Sequence, residues 1–278
     1  MADPISITRD GHRTFFKWHR GRRRAADPVF TGTRILEGMA LGASTEVDLV
    51  VTGDRGFAVL HDKTLDRETT GTGPVAAARD ADIRQLQLRG NDGAPIADRV
   101  MLLEDLCRLM ASGNVHPEAL LQLDYKEDLA ALDARTLERF AESVTPVAGN
   151  VILSSGDAAA VDLLHRAVPG MRVGFDASVE AKVNAARASG DHARFVREAL
   201  ETSPASEMIY LYWEIILWFA DDGFDLIGAF HEAGRRIDAW TIREVTAESV
   251  AAVERLLALK VDQITTDDPE GLAAALER

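Results

Sequence analysis

Cysteine is almost absent. Cys107 stands alone, so no intrachain disulfide forms, and its place in the apolar-periodic stretch Leu102–Met110 marks it as core filler. Long apolar runs are missing too: none approaches the ~20 residues that span a bilayer, which excludes an integral membrane helix. The leading segment Met1–Gly11 has no apolar stretch and no cleavage-like site, so a cytoplasmic location is the expectation. Basic residues are the minority, 31 against 45 acidic, for a formal net charge of −14. That balance excludes broad nucleic-acid binding, which needs a basic surface. It leaves a small anionic substrate open, because a local cluster of cations or a metal overrides the mean field. One such cluster is Arg20, Arg22, Arg23 and Arg24. Most arginine runs are solvated loops, and Arg20 is singled out by its neighbour His19.

What is present is an ordinary globular composition, 278 residues with 46% hydrophobic and 27% charged. Short aliphatic runs alternate with helical patterns almost to the C-terminus. Strands are expected at Thr14–Trp18, Ser44–Val51, Phe57–Leu60, Leu120–Tyr125, Val151–Ser155, Arg172–Phe175, Met208–Tyr212, Ile237–Ile242 and Gln263–Thr265. Helices are expected at Phe224–Ala233, Ala247–Leu259 and Pro269–Leu276, with helical spacing also around Leu129–Phe140 and Val161–Val168. Phe57–Leu60 follows Ser44–Val51 across five turn residues, too few for a crossover helix, so it reads as an antiparallel return strand. Eight strands remain. The expectation is one α/β domain over residues 1–278, a (β/α)8 TIM barrel with a hairpin and a small insertion, at about 62–117, over its mouth.

Strands of a closed barrel are apolar on both faces, so charges in them demand a reason. Four segments break the pattern near a strand's C-terminal end, where the chemistry of such a fold resides. Phe15-Phe16-Lys17-Trp18 runs into His19-Arg20-Gly21, and Val59-Leu60 into His61-Asp62. Glu46 and Asp48 lie two apart, on one face and ~6.5 Å from each other along the strand. Gln122, Asp124 and Lys126 likewise alternate to one side. Buried like charges on one face call for a cation between them. Glu46, Asp48 and Asp124 make an all-oxygen set suited to one hard divalent cation, Mg²⁺ or Ca²⁺. His19 and His61 would divide acid and base roles, and Arg20 and Lys126 would neutralise phosphate oxygens.

These motifs resemble the glycerophosphodiester phosphodiesterases, part of the wider superfamily of phosphodiesterase barrels related to phosphatidylinositol phospholipase C. The similarity runs from His19-Arg20-Gly21 through Gly42-Ala43, Glu46-Val47-Asp48, Thr52-Gly53-Asp54-Arg55-Gly56, Val59-Leu60-His61-Asp62 and Leu65-Asp66-Arg67-Glu68-Thr69. Asp124-Tyr125-Lys126 stands for the family's Glu-x-Lys, and Trp240-Thr241 and Thr266-Asp267-Asp268-Pro269 for its last two strands. The likeness covers about residues 14–278. It implies a metal at Glu46, Asp48 and Asp124, catalytic His19 and His61, phosphate contacts from Arg20 and Lys126, and Trp240 in the substrate wall. Two departures stand out: Pro28-Val29-Phe30-Thr31 replaces Pro-Glu-Asn-Thr, and Asp124 is one methylene shorter than glutamate.

The implied activity is metal-dependent hydrolysis of a glycerophosphodiester or a related alkyl or sugar phosphodiester, a small-molecule substrate. A second reading is phospholipase D-like hydrolysis of a lysophospholipid or sphingolipid, with Trp213, Trp218 and Phe219 exposed near the mouth. Burial of those three is the plainer expectation. A third is a barrel that binds a phosphorylated ligand without turning it over, against which both histidines stand. Oligomeric state cannot be read from this sequence.

Overall fold

The computed structural model describes residues 3–277; residues 1, 2 and 278, at the ends of the leading segment and of the family-like stretch, lie outside the described residues. The chain opens with a hairpin, β1 (Ser6–Arg9) and β2 (His12–Trp18). Its turn is Asp10-Gly11, with φ of 47° and 77°, the pair of left-handed residues a two-residue hairpin turn needs. Then follow α1 (Gly32–Leu41), β3 (Ser44–Val51), β4 (Phe57–Val59), α2 (Asp80–Ile83), β5 (Gln87–Arg89), β6 (Pro95–Arg99) and α3 (Leu103–Ser112). From there strand and helix alternate: β7 (Leu120–Tyr125), α4 (Ala134–Val144), β8 (Val151–Ser154), α5 (Ala158–Ala167), β9 (Arg172–Asp176), α6 (Glu180–Ser189) and α7 (His192–Thr202). The last quarter holds β10 (Met208–Tyr212), α8 (Trp213–Asp221), α9 (Leu226–Glu232), β11 (Arg236–Ile242), α10 (Ala247–Ala258), β12 (Gln263–Thr266) and α11 (Pro269–Leu276).

Eight parallel strands, in the order β2-β3-β7-β8-β9-β10-β11-β12, close on themselves through β12 and β2. This is the expected (β/α)8 barrel with helices outside it. The closure between β2 and β3 is narrow, with only Lys17↔Ser44 and Trp18↔Thr45 in register. Earlier along β2 its edge is taken by β1, and later along β3 by β4, both antiparallel. β4 is thus the return strand that the short turn after β3 requires. Helix α1 covers the seam closely: a Cβ on Gly38 would lie 2.8 Å from Thr45 Oγ1 and 3.2 Å from the Trp18 ring. Only glycine allows that approach.

Three strands escape the sequence reading. β1 adds a strand before the barrel, and β5–β6 form a separate two-stranded sheet in the segment after β4. Leu103–Ser112, read as part of the insertion, packs between α1 and α4 as the crossover helix to β7. Much of the acidic excess sits at helix N-termini, where Asp133, Asp157, Asp191, Asp225 and Asp268 accept backbone N–H bonds. Each such cap is worth about 1 kcal/mol. Phe219 is fully buried, while Trp213 and Trp218 are half-buried against the same core. Among the described residues no helix is long and apolar enough to cross a membrane.

Candidate active site at the C-terminal mouth of the barrel

The strand register assembles the site. Asp48 on β3 stands directly opposite Asp124 on β7, and Glu46 opposite Gln122, so residues far apart in sequence meet as neighbours on one face. Glu46, Asp48 and Asp124 offer oxygen atoms that all lie within 4.8 Å of one another. His19, Arg20, Glu46, His61, Asp124, Lys126 and Trp240 line one cavity of about 160 Å³. Asp48 lies behind it, fully buried. The cavity also takes Lys17, Gln122, Ser154, Asp176, Tyr210, Thr241, Arg243 and Thr265. The cavity has room for a small polar group such as a phosphoryl.

His19-Arg20-Gly21 forms a tight turn at the end of β2, with Arg20 at φ 54° and Gly21 at φ 71°. A left-handed arginine costs about 1–2 kcal/mol, and two contacts offset that. The Arg20 N–H donates to Glu46 Oε2 at 2.8 Å, and its carbonyl accepts from Phe30 N–H at 2.8 Å. At Gly21 a Cβ would lie 2.6 Å from Ile35 Cγ1. Phe30 is itself left-handed, at φ 60°, and fully buried, with its ring 5.9 Å from the Arg20 guanidinium. Val29 and Phe30 therefore pack into the core and shape the mouth through Arg20 rather than by lining the cavity.

Each histidine has a carboxylate behind it. Asp267 Oδ1 lies 2.5 Å from His19 Nδ1 and 3.2 Å from Arg22. Asp62 Oδ1 lies 2.9 Å from His61 Nδ1 and is gripped at both oxygens by Arg67. Glu68 Oε2 accepts the backbone N–H groups of both His61 and Asp62 at 3.0 Å. In each ring Nδ1 is engaged and Nε2 is left for chemistry. Burial lowers the His19 pKa, with Asp267 opposing it, so the neutral imidazole prevails. The Arg67 bond, which outweighs burial, holds the Asp62 carboxyl down at about 2.

Charge at the centre is unbalanced. Burial and the adjacent Asp48 push Glu46 well above the usual carboxylate range. Burial acts on Asp48 in the same direction, but Lys126 and Arg20 outweigh it and lower its pKa. Lys126 Nζ is 2.8 Å from Asp48 Oδ1, and Arg20 Nε 3.1 Å from Oδ2. Yet both Asp48 oxygens lack a hydrogen bond of ordinary geometry. Lys126 also bonds Asp124, whose other oxygen accepts from Ser154 Oγ at 3.0 Å. Three carboxylates crowded at this centre, one of them raised by burial and its neighbour, leave room for further positive charge beside Lys126 and Arg20. The residues present fit a divalent cation. A second group, His61, Asp62 and Glu68, also lies within ligand distance, but Arg67 and backbone N–H groups already occupy its oxygens, and its role is to hold His61.

Every site residue expected from the sequence is thus brought to this mouth. Asp267, Asp62, Glu68 and Arg67 join the site as the partners of the two histidines, beyond the residues expected from the sequence. The missing signal was the carboxylate that a working imidazole needs at Nδ1. Lys17 and Asp238 are further charges inside barrel strands, and the sequence alone gives neither a role.

Two carboxylate-backed imidazoles, two cations and a buried carboxylate cluster thus meet at one barrel mouth. The model of the glycerophosphoryl diester phosphodiesterase family matches residues 34–271. The chain belongs to that family and is a phosphoric diester hydrolase. A search of curated proteins found no match. Among solved structures, a glycerophosphodiester phosphodiesterase from Agrobacterium tumefaciens superposes with a TM-score of 0.66 at 22% identity, over 95% of this chain and 100% of the other. A glycerophosphoryl diester phosphodiesterase from Parabacteroides distasonis gives 0.65 at 22% identity, over 98% and 89%. An Oleispira antarctica phosphodiesterase in complex with its product sn-glycerol-3-phosphate gives 0.68 at 17% identity, over 95% and 96%. At these identities the likeness is one of fold.

Proposed function

We propose that this chain hydrolyses a glycerophosphodiester, or a related alkyl or sugar phosphodiester, with one divalent cation, Mg²⁺ or Ca²⁺, held by Glu46, Asp48 and Asp124. The observation that carries the proposal is the cluster of Glu46, Asp48 and Asp124, whose oxygens lie within 4.8 Å of one another at a mouth lined by two imidazoles each backed by a carboxylate. When bound, the cation would stabilise negative charge on a phosphoryl oxygen. Arg20 and Lys126 bind and orient the phosphate. His19, neutral because it is buried, takes the proton of the attacking hydroxyl at Nε2, and Asp267 stabilises the imidazolium that results. His61 Nε2 gives a proton to the departing alkoxide. One P–O bond forms and one breaks, and the histidines exchange roles in the next proton transfer. The attacking group is water or a hydroxyl of the substrate itself. Trp240 forms one wall beside the phosphate. Product release as glycerol 3-phosphate has support from the Oleispira antarctica complex.

The test is turnover of glycerophosphodiesters, lysophospholipids and sugar phosphodiesters by purified protein, with Mg²⁺ or Ca²⁺ and with chelator. Activity on the first or third class that is lost with chelator and restored by the cation is the expected result. Turnover of lysophospholipid alone would replace the proposal with the lipid reading, and no metal-dependent turnover of any diester would refute it.

A further inference from the structure

Beneath the carboxylates lies a polar chain that the reaction above does not use. Lys17 is 2% exposed, inside β2, two residues before His19. Its Nζ lies 3.0 Å from Asp238 Oδ2 and 4.3 Å from the centre of the Tyr210 ring, and it donates to Gln122 Oε1. Asp238 is fully buried and accepts from Thr265 Oγ1 at 2.7 Å. Gln122 Nε2 donates to Ser154 Oγ at 2.8 Å, and Ser154 Oγ donates to Asp124 Oδ1 at 3.0 Å. Five strands contribute: β11 and β12, then β2, β7 and β8.

The direction of this chain is the same from either end, since the Asp124 carboxylate only accepts and the Lys17 ammonium only donates. An ammonium has only donors, so the Gln122 atom facing Lys17 must be its oxygen. The Gln122 nitrogen then faces Ser154, whose oxygen accepts. A hydroxyl has a single proton, and with its acceptor role filled that proton goes to Asp124. We infer that Lys17, anchored by Asp238, is a positioning residue for the cation site: through Gln122 and Ser154 it aims a donor at Asp124 and fixes where that short carboxylate stands. A glutamate would reach one methylene further toward its partners, whereas Asp124 is held at both ends, by Ser154 on one oxygen and Lys126 on the other. The inference rests on the cation reading of Glu46, Asp48 and Asp124.

Three variants of the full chain test it, read by calorimetric titration of chelator-treated protein with Ca²⁺ and by thermal unfolding. Outer partners that orient a metal ligand contribute about 10- to 100-fold in affinity. Ser154→Ala removes the last donor and Lys17→Met the ammonium at the other end, and each weakens Ca²⁺ binding by about tenfold. Gln122→Glu is the discriminating change. It keeps the volume and strengthens the contact with Lys17, but it has no N–H for Ser154, whose proton turns back to the new carboxylate. Coulomb attraction alone would make this added negative charge tighten Ca²⁺ binding; the inference requires it to weaken, with folding retained. Wild-type protein that binds Ca²⁺ while all three variants bind it equally well, or a Gln122→Glu variant that binds it more tightly, overturns the positioning role. Wild-type protein that binds no divalent cation overturns the cation reading itself, and this inference with it.

Discussion

Replacing Asp267 by asparagine separates the charge behind His19 from the geometry. In the native arrangement one oxygen, Oδ1, serves both His19 Nδ1, at 2.5 Å, and Arg22, at 3.2 Å. An amide oxygen at that place keeps both contacts and loses only the charge. Hydrogen bonds to a charged partner contribute about 1.5–3 kcal/mol, and ~1.4 kcal/mol is tenfold in rate. The charge on Asp267 therefore accounts for a ~10- to ~150-fold loss in kcat/KM if the transition state carries a His19 imidazolium. If the amide rotates to present its N–H to Nδ1, the proton moves to Nε2, where the base is needed. The loss then approaches ~10⁴, the scale found for the aspartate-to-asparagine change in a serine protease triad. The pH profile adds a sign. Burial already lowers the His19 pKa and Asp267 opposes it, so without the carboxylate it falls further and the acidic limb of kcat/KM moves to lower pH. The assay is kcat/KM against pH on a glycerophosphodiester at saturating cation. A variant within about threefold of wild type, with its acidic limb unmoved, would refute the role given to Asp267.

Other expectations follow from the same geometry. Asp48→Asn weakens Mg²⁺ or Ca²⁺ binding, measured by calorimetric titration, by more than about tenfold, and chelation abolishes turnover of wild type reversibly. Arg67→Ala releases the bond that holds Asp62 at about 2. A folded pKa below the unfolded value of ~3.9 stabilises above that pH and is lost as pH falls toward 2. Because Asp62 is partly exposed, screening leaves about 1 kcal/mol; urea unfolding should show that deficit at pH 7 and a shrinking one below pH ~4. Cys107 is 2% exposed and burial pushes its thiol up to about 12, so a thiol reagent at pH 8 should label it only as fast as the chain unfolds. Rapid labelling of native protein would contradict its placement in the core.

The eight barrel strands were readable because strands buried on both faces are nearly continuous apolar runs, and the charges that interrupt them stand out. That contrast also located Glu46, Asp48, Asp124 and the two histidines. Their facing was within reach as well, since spacing by two puts residues on one face, but the pairing of Asp48 with Asp124 depends on register between strands more than seventy residues apart. β1 escaped because Ser6–Arg9 is short and only half-buried, although Asp10-Gly11 is a hairpin signal. β5 and β6 are three and five residues long with one large apolar residue each, Leu88 and Ile96, too few for an alternation to stand out from a loop. Asp267 was hidden differently. It follows β12 directly, where an aspartate reads equally well as a helix cap, and its neighbour Asp268 does cap α11.

The narrow join between β2 and β3 bears on how the enzyme breathes. His19 follows one of these strands and Glu46 belongs to the other, and two residue pairs hold the join in register, as two hold β8 to β9. Opening there leaves most of the ring intact, since every other strand keeps both neighbours. A molecule opened there would part His19 from Glu46 and Asp48, while His61, which follows β4, stays with β3. β1 and β4 each extend one side of the join without crossing it, so the Arg20 N–H bond to Glu46 is what ties the catalytic turn directly to the carboxylate strand.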